Sequence, residues 1–311
     1  MAVIEERKFL STDKKHMLWG KLYLPESKNV KAVIHVVHGM KEHIGRYDSF
    51  MKFLTQYDYA AFGYDHIGHG ETALHGGDFG YIASKGGDKI LINDVNAFAK
   101  NIMREFEEKK YIRFGHSMGS FLVRLASLNM VPDALILCGT GGPVLGSWAG
   151  IALCKLIQSL KGSHYASPLI EHLIFGRNND LFLEENNKNA WLCRDESIKT
   201  AYAKDPWCNF DFTAAAYGDL IRLSRAANSK KFFRFLDKKT PIMLISGAED
   251  PIGDNGKGVT TVYNRLKAEG ADIKTFKLYK KCRHEILNEL NSDEVFADIL
   301  TFINRVAETQ E

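Results

Sequence analysis

The chain has 311 residues, 45% hydrophobic and 25% charged, with a formal net charge of +3. So small a cationic surplus, with no basic stretch interleaved with aromatics, excludes an obligate polyanion partner, nucleic acid included. The length suits one sizeable α/β domain carrying an insertion better than two independent domains.

Arg7–Leu10 and Met17–Leu24 read as two strands of a meander that ends at Pro25. Lys31–Val37 is a buried strand that stops at His38-Gly39, and Tyr59–Tyr64 is another, followed by Asp65-His66-Ile67-Gly68-His69-Gly70. A helix over Ile90–Lys109 leads to the strand Tyr111–Phe114, and a buried helix through Phe121, Leu122, Leu125 and Leu128 leads to the strand Ala134–Cys138. Apolar runs without polar alternation are what a parallel sheet covered by helices on both faces requires, and the alternation of strand and helix favours right-handed crossovers.

After Gly142-Pro143 the pattern changes. Residues 143–238 hold helical stretches, scattered aromatics and no convincing buried strand, so they read as an inserted helical cap on a core made of residues 1–142 and 239–311. Sheet signals resume at Pro241–Gly247 and Ile273–Tyr279, which brings the expected sheet to eight strands. A last helix over Asp293–Ala307 takes Ser292 as its N-cap.

The chemistry centres on Gly115-His116-Ser117-Met118-Gly119. A serine between two glycines, directly after a strand and before a helix, is the pattern of a nucleophile elbow, where the chain reverses sharply and backbone approaches the serine closely. A serine hydroxyl is a poor nucleophile at neutral pH and needs a histidine base oriented by a carboxylate. Ser246-Gly247-Ala248-Glu249-Asp250-Pro251 places acids just after a buried strand, at the sheet edge that the elbow faces; Asp250 is the expected partner and Glu249 the alternative. His284, after the last strand, is the one histidine beyond His172 and completes the order serine, acid, histidine. Backbone N–H donors for an oxyanion are expected from Met118, at the start of the helix, and from Met40, in the loop after the third strand.

Three motifs in order, His38-Gly39-Met40-Lys41-Glu42-His43-Ile44-Gly45-Arg46-Tyr47, Asp65-His66-Ile67-Gly68-His69-Gly70 and Gly115-His116-Ser117-Met118-Gly119, resemble the monoacylglycerol lipase and lysophospholipase-like branch of the α/β-hydrolases, the serine aminopeptidase S33 type. The resemblance covers nearly all of the chain outside the cap. It implies an α/β-hydrolase fold with a mostly parallel eight-stranded sheet, and a serine esterase with Ser117, Asp250 and His284 as triad and Met40 and Met118 as oxyanion donors. Monoacylglycerols or lysophospholipid-like esters are the expected substrates. Short-chain or aromatic carboxylesters, or an aminopeptidase-type reaction, are the alternatives inside the same chemistry, and a catalytically silent binding protein of this fold is the rival outside it.

Within the cap, Trp148, Trp207 and Phe210 are candidate walls of a substrate pocket, with plain cap packing as the other reading. The apolar stretch Trp148–Leu160 is a candidate lid helix with transient lipid contact, too short and too polar for stable membrane insertion. No metal is expected, because His35, His38 and His43, or His66 and His69, have no thiolate or carboxylate cluster beside them in sequence. No nucleotide cofactor is expected either, since the glycine-rich phosphate motifs are absent. Five cysteines without a C-x-x-C pair and an amino terminus without a leader pattern point to a cytoplasmic protein.

Overall fold

The computed structural model describes residues 2–309. Eight strands, β1 (Val3–Leu10), β2 (Met17–Leu24), β3 (Ala32–Val37), β4 (Ala60–Tyr64), β5 (Lys110–His116), β6 (Ala134–Cys138), β7 (Ile242–Gly247) and β8 (Ile273–Tyr279), form one sheet in the order β1-β2-β4-β3-β5-β6-β7-β8. The β1–β2 and β2–β4 pairs are antiparallel and all others parallel. Helices α1 (Asp48–Thr55), α2 (Gly70–Gly76), α3 (Gly87–Met103) and α4 (Met118–Ala126) follow in the first half of the chain. Helices α5 (Ser147–Lys161), α6 (Pro168–Phe175), α7 (Glu196–Lys204), α8 (Ala214–Ala227) and α9 (Lys230–Phe235) lie between β6 and β7, and α10 (Lys257–Ala268) and α11 (Ser292–Glu308) complete the chain.

Strand periodicity sorts the core into two layers. On β3, Val33 and Val37 face one layer while Ala32, Ile34 and Val36 face the other. The first layer is closed by Leu91, Val95 and Phe98 of α3, Leu122 of α4 and Val262 of α10; the second by Phe50 of α1 and Ile299 and Phe302 of α11. With both faces covered, β3, β4, β6 and β7 are buried at every residue, which is why their sequences carry no polar alternation.

Among the element boundaries that differ from those read in the sequence, three have a visible cause. The long helix ends at Met103 rather than Lys109 because its buried stripe ends at Ile102, after which Glu105, Glu107 and Glu108 offer nothing to pack. Strand β1 begins at Val3 rather than Arg7, paired along its whole length with β2. Ser292 is the first helical residue of α11 and the N-cap is Asn291, whose side-chain oxygen is taken by Arg194 Nη2 at 2.5 Å.

Among the described residues the segment between β6 and β7 adds no strand to the sheet; its only β pairing is an isolated bridge between Ala166 and Thr213. Four of its five helices start with a side-chain cap: Ser167 (ahead of Pro168), Asp195, Thr213 and Ser229 each accept a bond from a backbone N–H in the first turn of the helix they precede. No helix among the described residues is long and apolar enough to cross a membrane.

Candidate active site

Ser117 sits between β5 and α4 with φ 53° and ψ −120°, a region that a residue with a side chain occupies only when its surroundings force it. The forcing is visible on both sides. A Cβ on Gly115 would lie 2.5 Å from the carbonyl oxygen of Gly119, and a Cβ on Gly119 would run into the carbonyl oxygen of Val37 on the neighbouring strand. Two glycines therefore let β3, β5 and α4 close around the serine, whose own N–H is held by the Cys138 carbonyl at 3.0 Å. Its hydroxyl makes no hydrogen bond among the described residues and opens on a cavity.

Asp250 follows β7 and is fully buried. Ser246 Oγ donates to its Oδ2 at 3.0 Å and Ile252 N to its Oδ1 at 2.9 Å, and the same Oδ1 stands 2.9 Å from His284 Nδ1. An ionised carboxylate only accepts, so the imidazole proton belongs on Nδ1 and the Nε2 lone pair is left free. His284, nearly buried, lines the Ser117 cavity. Glu249 has no bond to His284; its backbone N–H is held by the Cys282 carbonyl at 2.9 Å.

Met40 and Met118 line the same cavity, and Met118 is the first residue of α4, where a backbone N–H has no partner within the helix. The structure thus brings together Ser117, Asp250, His284, Met40 and Met118.

Four further residues brace this group. His116, buried, places Nδ1 3.1 Å from Glu42 Oε1 and Nε2 3.2 Å from the His284 carbonyl oxygen. Both neighbours are acceptors, so the ring is doubly protonated. Burial alone would push its pKa down; the hydrogen bond and charge of Glu42 outweigh burial and hold it above the ordinary value. Burial likewise works to raise the Glu42 carboxyl, but the bond from His116 and the charges of His116 and Arg46 hold it well below the usual carboxylate range. Glu42 Oε1 also accepts from Gly39 N at 2.5 Å and Tyr47 Oη at 3.0 Å, which fixes the loop carrying Met40. Beside it Arg46 grips Glu285, the residue after His284, through two bonds of 2.6 Å. Glu42 and Arg46 belong to the first motif and His116 to the elbow, but no role was legible for them without the fold.

The cavity holds about 380 Å³. The core supplies Ser117, His284 and the two methionines, while the segment between β6 and β7 supplies apolar walls that include Leu173, Phe175, Trp191, Leu192 and Ile221. The aromatics expected as walls lie elsewhere. Trp148 is 67% exposed and packs under the Arg225 guanidinium, 3.6 Å from its ring, while its neighbours Ser147 and Gly150 reach the cavity. Trp207 packs edge-on to His43 at 5.0 Å, beside a separate hollow lined by Trp19 and Asp65. Phe210 packs against His69, Phe79 and Phe212. The loop between α7 and α8 folds down on the loops after β3 and β4, away from Ser117.

The histidines considered for a metal have other partners: His35 Nδ1 meets Tyr111 Oη at 2.9 Å, and His38 Nε2 accepts from His66 N at 3.1 Å. His43, Asp205 and Cys208 bring ligand atoms within 4.8 Å of one another. There Asp205 is already occupied, by His43 Nε2 at 2.8 Å and Trp207 N at 2.8 Å.

The family model described as serine aminopeptidase, S33, matches residues 28–291. A monoglyceride lipase of Rattus norvegicus is 25% identical over 292 residues, covering 91% of this chain and 84% of the relative. A carboxyl esterase from Bacillus coagulans, solved in complex with glycerol, superposes with a TM-score of 0.92 at 27% identity, covering 98% of this chain and 99% of that one. A soluble variant of the monoglyceride lipase of Saccharomyces cerevisiae, at 17% identity, has a TM-score of 0.76 over 100% of this chain and 96% of that one, and supports the fold. With an elbow serine, a mostly parallel eight-stranded sheet and a family model matched from before β3 to the threshold of α11, the chain belongs to the serine aminopeptidase S33 family of α/β-hydrolases.

Proposed function

We propose that this serine ester hydrolase has Ser117 as its nucleophile, His284 as its base and Asp250 as its orienting acid, and that it acts on carboxylic esters with a substantial acyl group, monoacylglycerols first and lysophospholipid-like esters next. The observation that carries this reading is the 2.9 Å bond from His284 Nδ1 to Asp250, made by a histidine that shares an apolar cavity with the elbow serine.

Ser117 Oγ attacks the ester carbonyl as its proton passes to His284 Nε2. The negative charge on the former carbonyl oxygen falls to the N–H groups of Met40 and Met118. Collapse expels the alcohol, which takes the proton back from His284. Water then enters, gives a proton to the same nitrogen and attacks the acyl-enzyme, releasing the carboxylic acid and restoring Ser117. Throughout, Asp250 keeps the ring in one tautomer and balances the imidazolium.

The apolar walls favour an acyl chain. The acids that line the cavity, Glu42 and Glu285, are committed to His116 and Arg46, so neither is free to receive the ammonium of a peptide's amino terminus, which favours ester over aminopeptidase chemistry. The segment between β6 and β7 acts as a cap: Leu145, fully exposed, lines the cavity, and Trp148, Leu156 and Leu160 give α5 an apolar outer side suited to transient contact with a lipid-borne substrate. Five free cysteines fit a cytoplasmic setting.

The test is kcat/KM along p-nitrophenyl esters from acetate to palmitate, with Ser117→Ala as control. A maximum at medium or long chains, followed by turnover of monoacylglycerol, supports the lipid reading; a maximum at acetate with steep decline contradicts it, and equal rates in Ser117→Ala contradict the nucleophile.

A further inference from the structure

We infer that Arg283 and Glu185 form a lock that seats the catalytic histidine: the guanidinium next to His284 is a positioning group, anchored in the segment between β6 and β7 rather than in the core. The inference rests on the assignment of His284 as base.

Arg283 is nearly buried and points away from the cavity into a socket made by residues 182–193. Its Nη1 donates to Glu185 Oε2 at 3.0 Å, to the Ala190 carbonyl at 2.6 Å and to the Cys193 carbonyl at 3.4 Å, and its Nη2 donates to Glu185 Oε1. The guanidinium lies 3.9 Å from the centre of the Phe182 ring. A two-pronged bond to one carboxylate, two carbonyls and an aromatic face leave that side chain one position.

The backbone on either side is tied to the same segment. His284 N donates to the Trp191 carbonyl at 3.3 Å, and Glu285 N to the Leu192 carbonyl at 2.7 Å. Arg283 N donates to Glu289 Oε1 at 2.8 Å, and Glu289 Oε2 accepts from Arg194 Nε at 2.8 Å, so an arginine of the segment itself also grips the loop after β8. The Trp191 ring stands 5.2 Å from the His284 ring. Asp250 fixes one nitrogen of the imidazole, but the direction of Nε2 toward Ser117 depends on where the loop holds the His284 backbone. That backbone is held from two sides, its N–H by the Trp191 carbonyl of the segment and its carbonyl by His116 at the end of β5, so the segment supplies one half of its support.

Two consequences follow. Residues 182–194 cannot swing open as a lid without carrying the base out of register, so any opening of the cavity belongs to the stretch before them, α5 and α6. And a substrate that presses on Trp191 or Leu192, both lining the cavity, touches the support of the base directly.

The experiment uses the full chain with Glu185→Gln, Arg283→Met and Arg283→Lys. Active sites are titrated with a fluorophosphonate, and kcat and KM for p-nitrophenyl butyrate are expressed per titrated site. Glu185→Gln and Arg283→Met are expected to lose about tenfold or more in kcat with little change in KM, as misplacement of a catalytic group does. Arg283→Lys is expected to recover part of the loss, and the downfield proton resonance of His284 Nδ1 to shift or broaden in proportion. A kcat per titrated site in Glu185→Gln within about twofold of the parent, with only the Tm lowered, overturns the lock. Should Arg283→Met not fold, Glu185→Gln carries the test, since that side chain is 30% exposed. Activity retained in His284→Ala would instead overturn the assignment of the base.

Discussion

Glu42 and His116 form a buried ion pair 3.1 Å apart whose two ends hold different parts of the active site: the carboxylate accepts from Gly39 N, in the loop of Met40, and the imidazolium donates to the carbonyl of His284. The loop that carries Met40 and the backbone of His284 are thereby joined through two side chains.

Breaking that pair one-sidedly leaves a buried charge without its partner. Glu42→Gln is expected to cost about 3 kcal/mol or more of stability and to lower kcat by displacing Met40. Urea unfolding and steady-state kinetics on the same preparation check both; an unchanged midpoint contradicts the assigned pair.

The same pair sets a pH dependence. The folded-state pKa of His116 lies above the ordinary histidine value of about 6.5, so its stabilising contribution is complete below that pH and is lost as pH rises through the raised folded value. The gap in Tm between the parent and His116→Gln is therefore expected to narrow as pH is taken from mildly acidic to alkaline. A gap that widens over that range contradicts a protonated His116.

Asp250→Asn keeps shape but exchanges an acceptor for an amide that can hold the wrong tautomer of His284. A fall in kcat of about 10⁴ with little change in Tm is expected, by analogy with what the orienting acid supplies in serine hydrolases. Glu249→Gln, at the sequence alternative, is expected to leave kcat near the parent's value, and the reverse pattern would reassign the acid.

How far the sequence reaches is clearest at the pocket. Strands β3, β6 and β7 were legible because burial on both faces writes an unbroken apolar run, and Ser117, Asp250 and His284 because loops at one sheet edge are marked by glycine, acid and histidine in a set order. The pocket walls were not. An aromatic on a cap helix looks the same whether it turns inward, like Phe175, or outward, like Trp148, and only the packing of Arg225 on Trp148 decides. Nor does any local pattern pair Arg46 with Glu285, residues 239 apart in the chain that meet only when the loops after β3 and β8 converge. The same holds for the end of α3, set by the reach of Ile102 rather than by a stop signal.

Leu192 and Ile221 wall the cavity from the segment between β6 and β7. Ile221→Trp is expected to reduce kcat/KM for p-nitrophenyl decanoate by about tenfold or more while acetate changes little, because a larger side chain removes room that only the long chain needs. Equal losses on both esters would mean that the acyl chain lies elsewhere.

The central claim is that Ser117 is the nucleophile. It is tested most directly by intact-mass and peptide mapping after treatment with a fluorophosphonate. One adduct per chain, located on Ser117 and absent from both Ser117→Ala and His284→Ala, is the predicted result; no adduct on the parent, or an adduct that persists in Ser117→Ala, would contradict it.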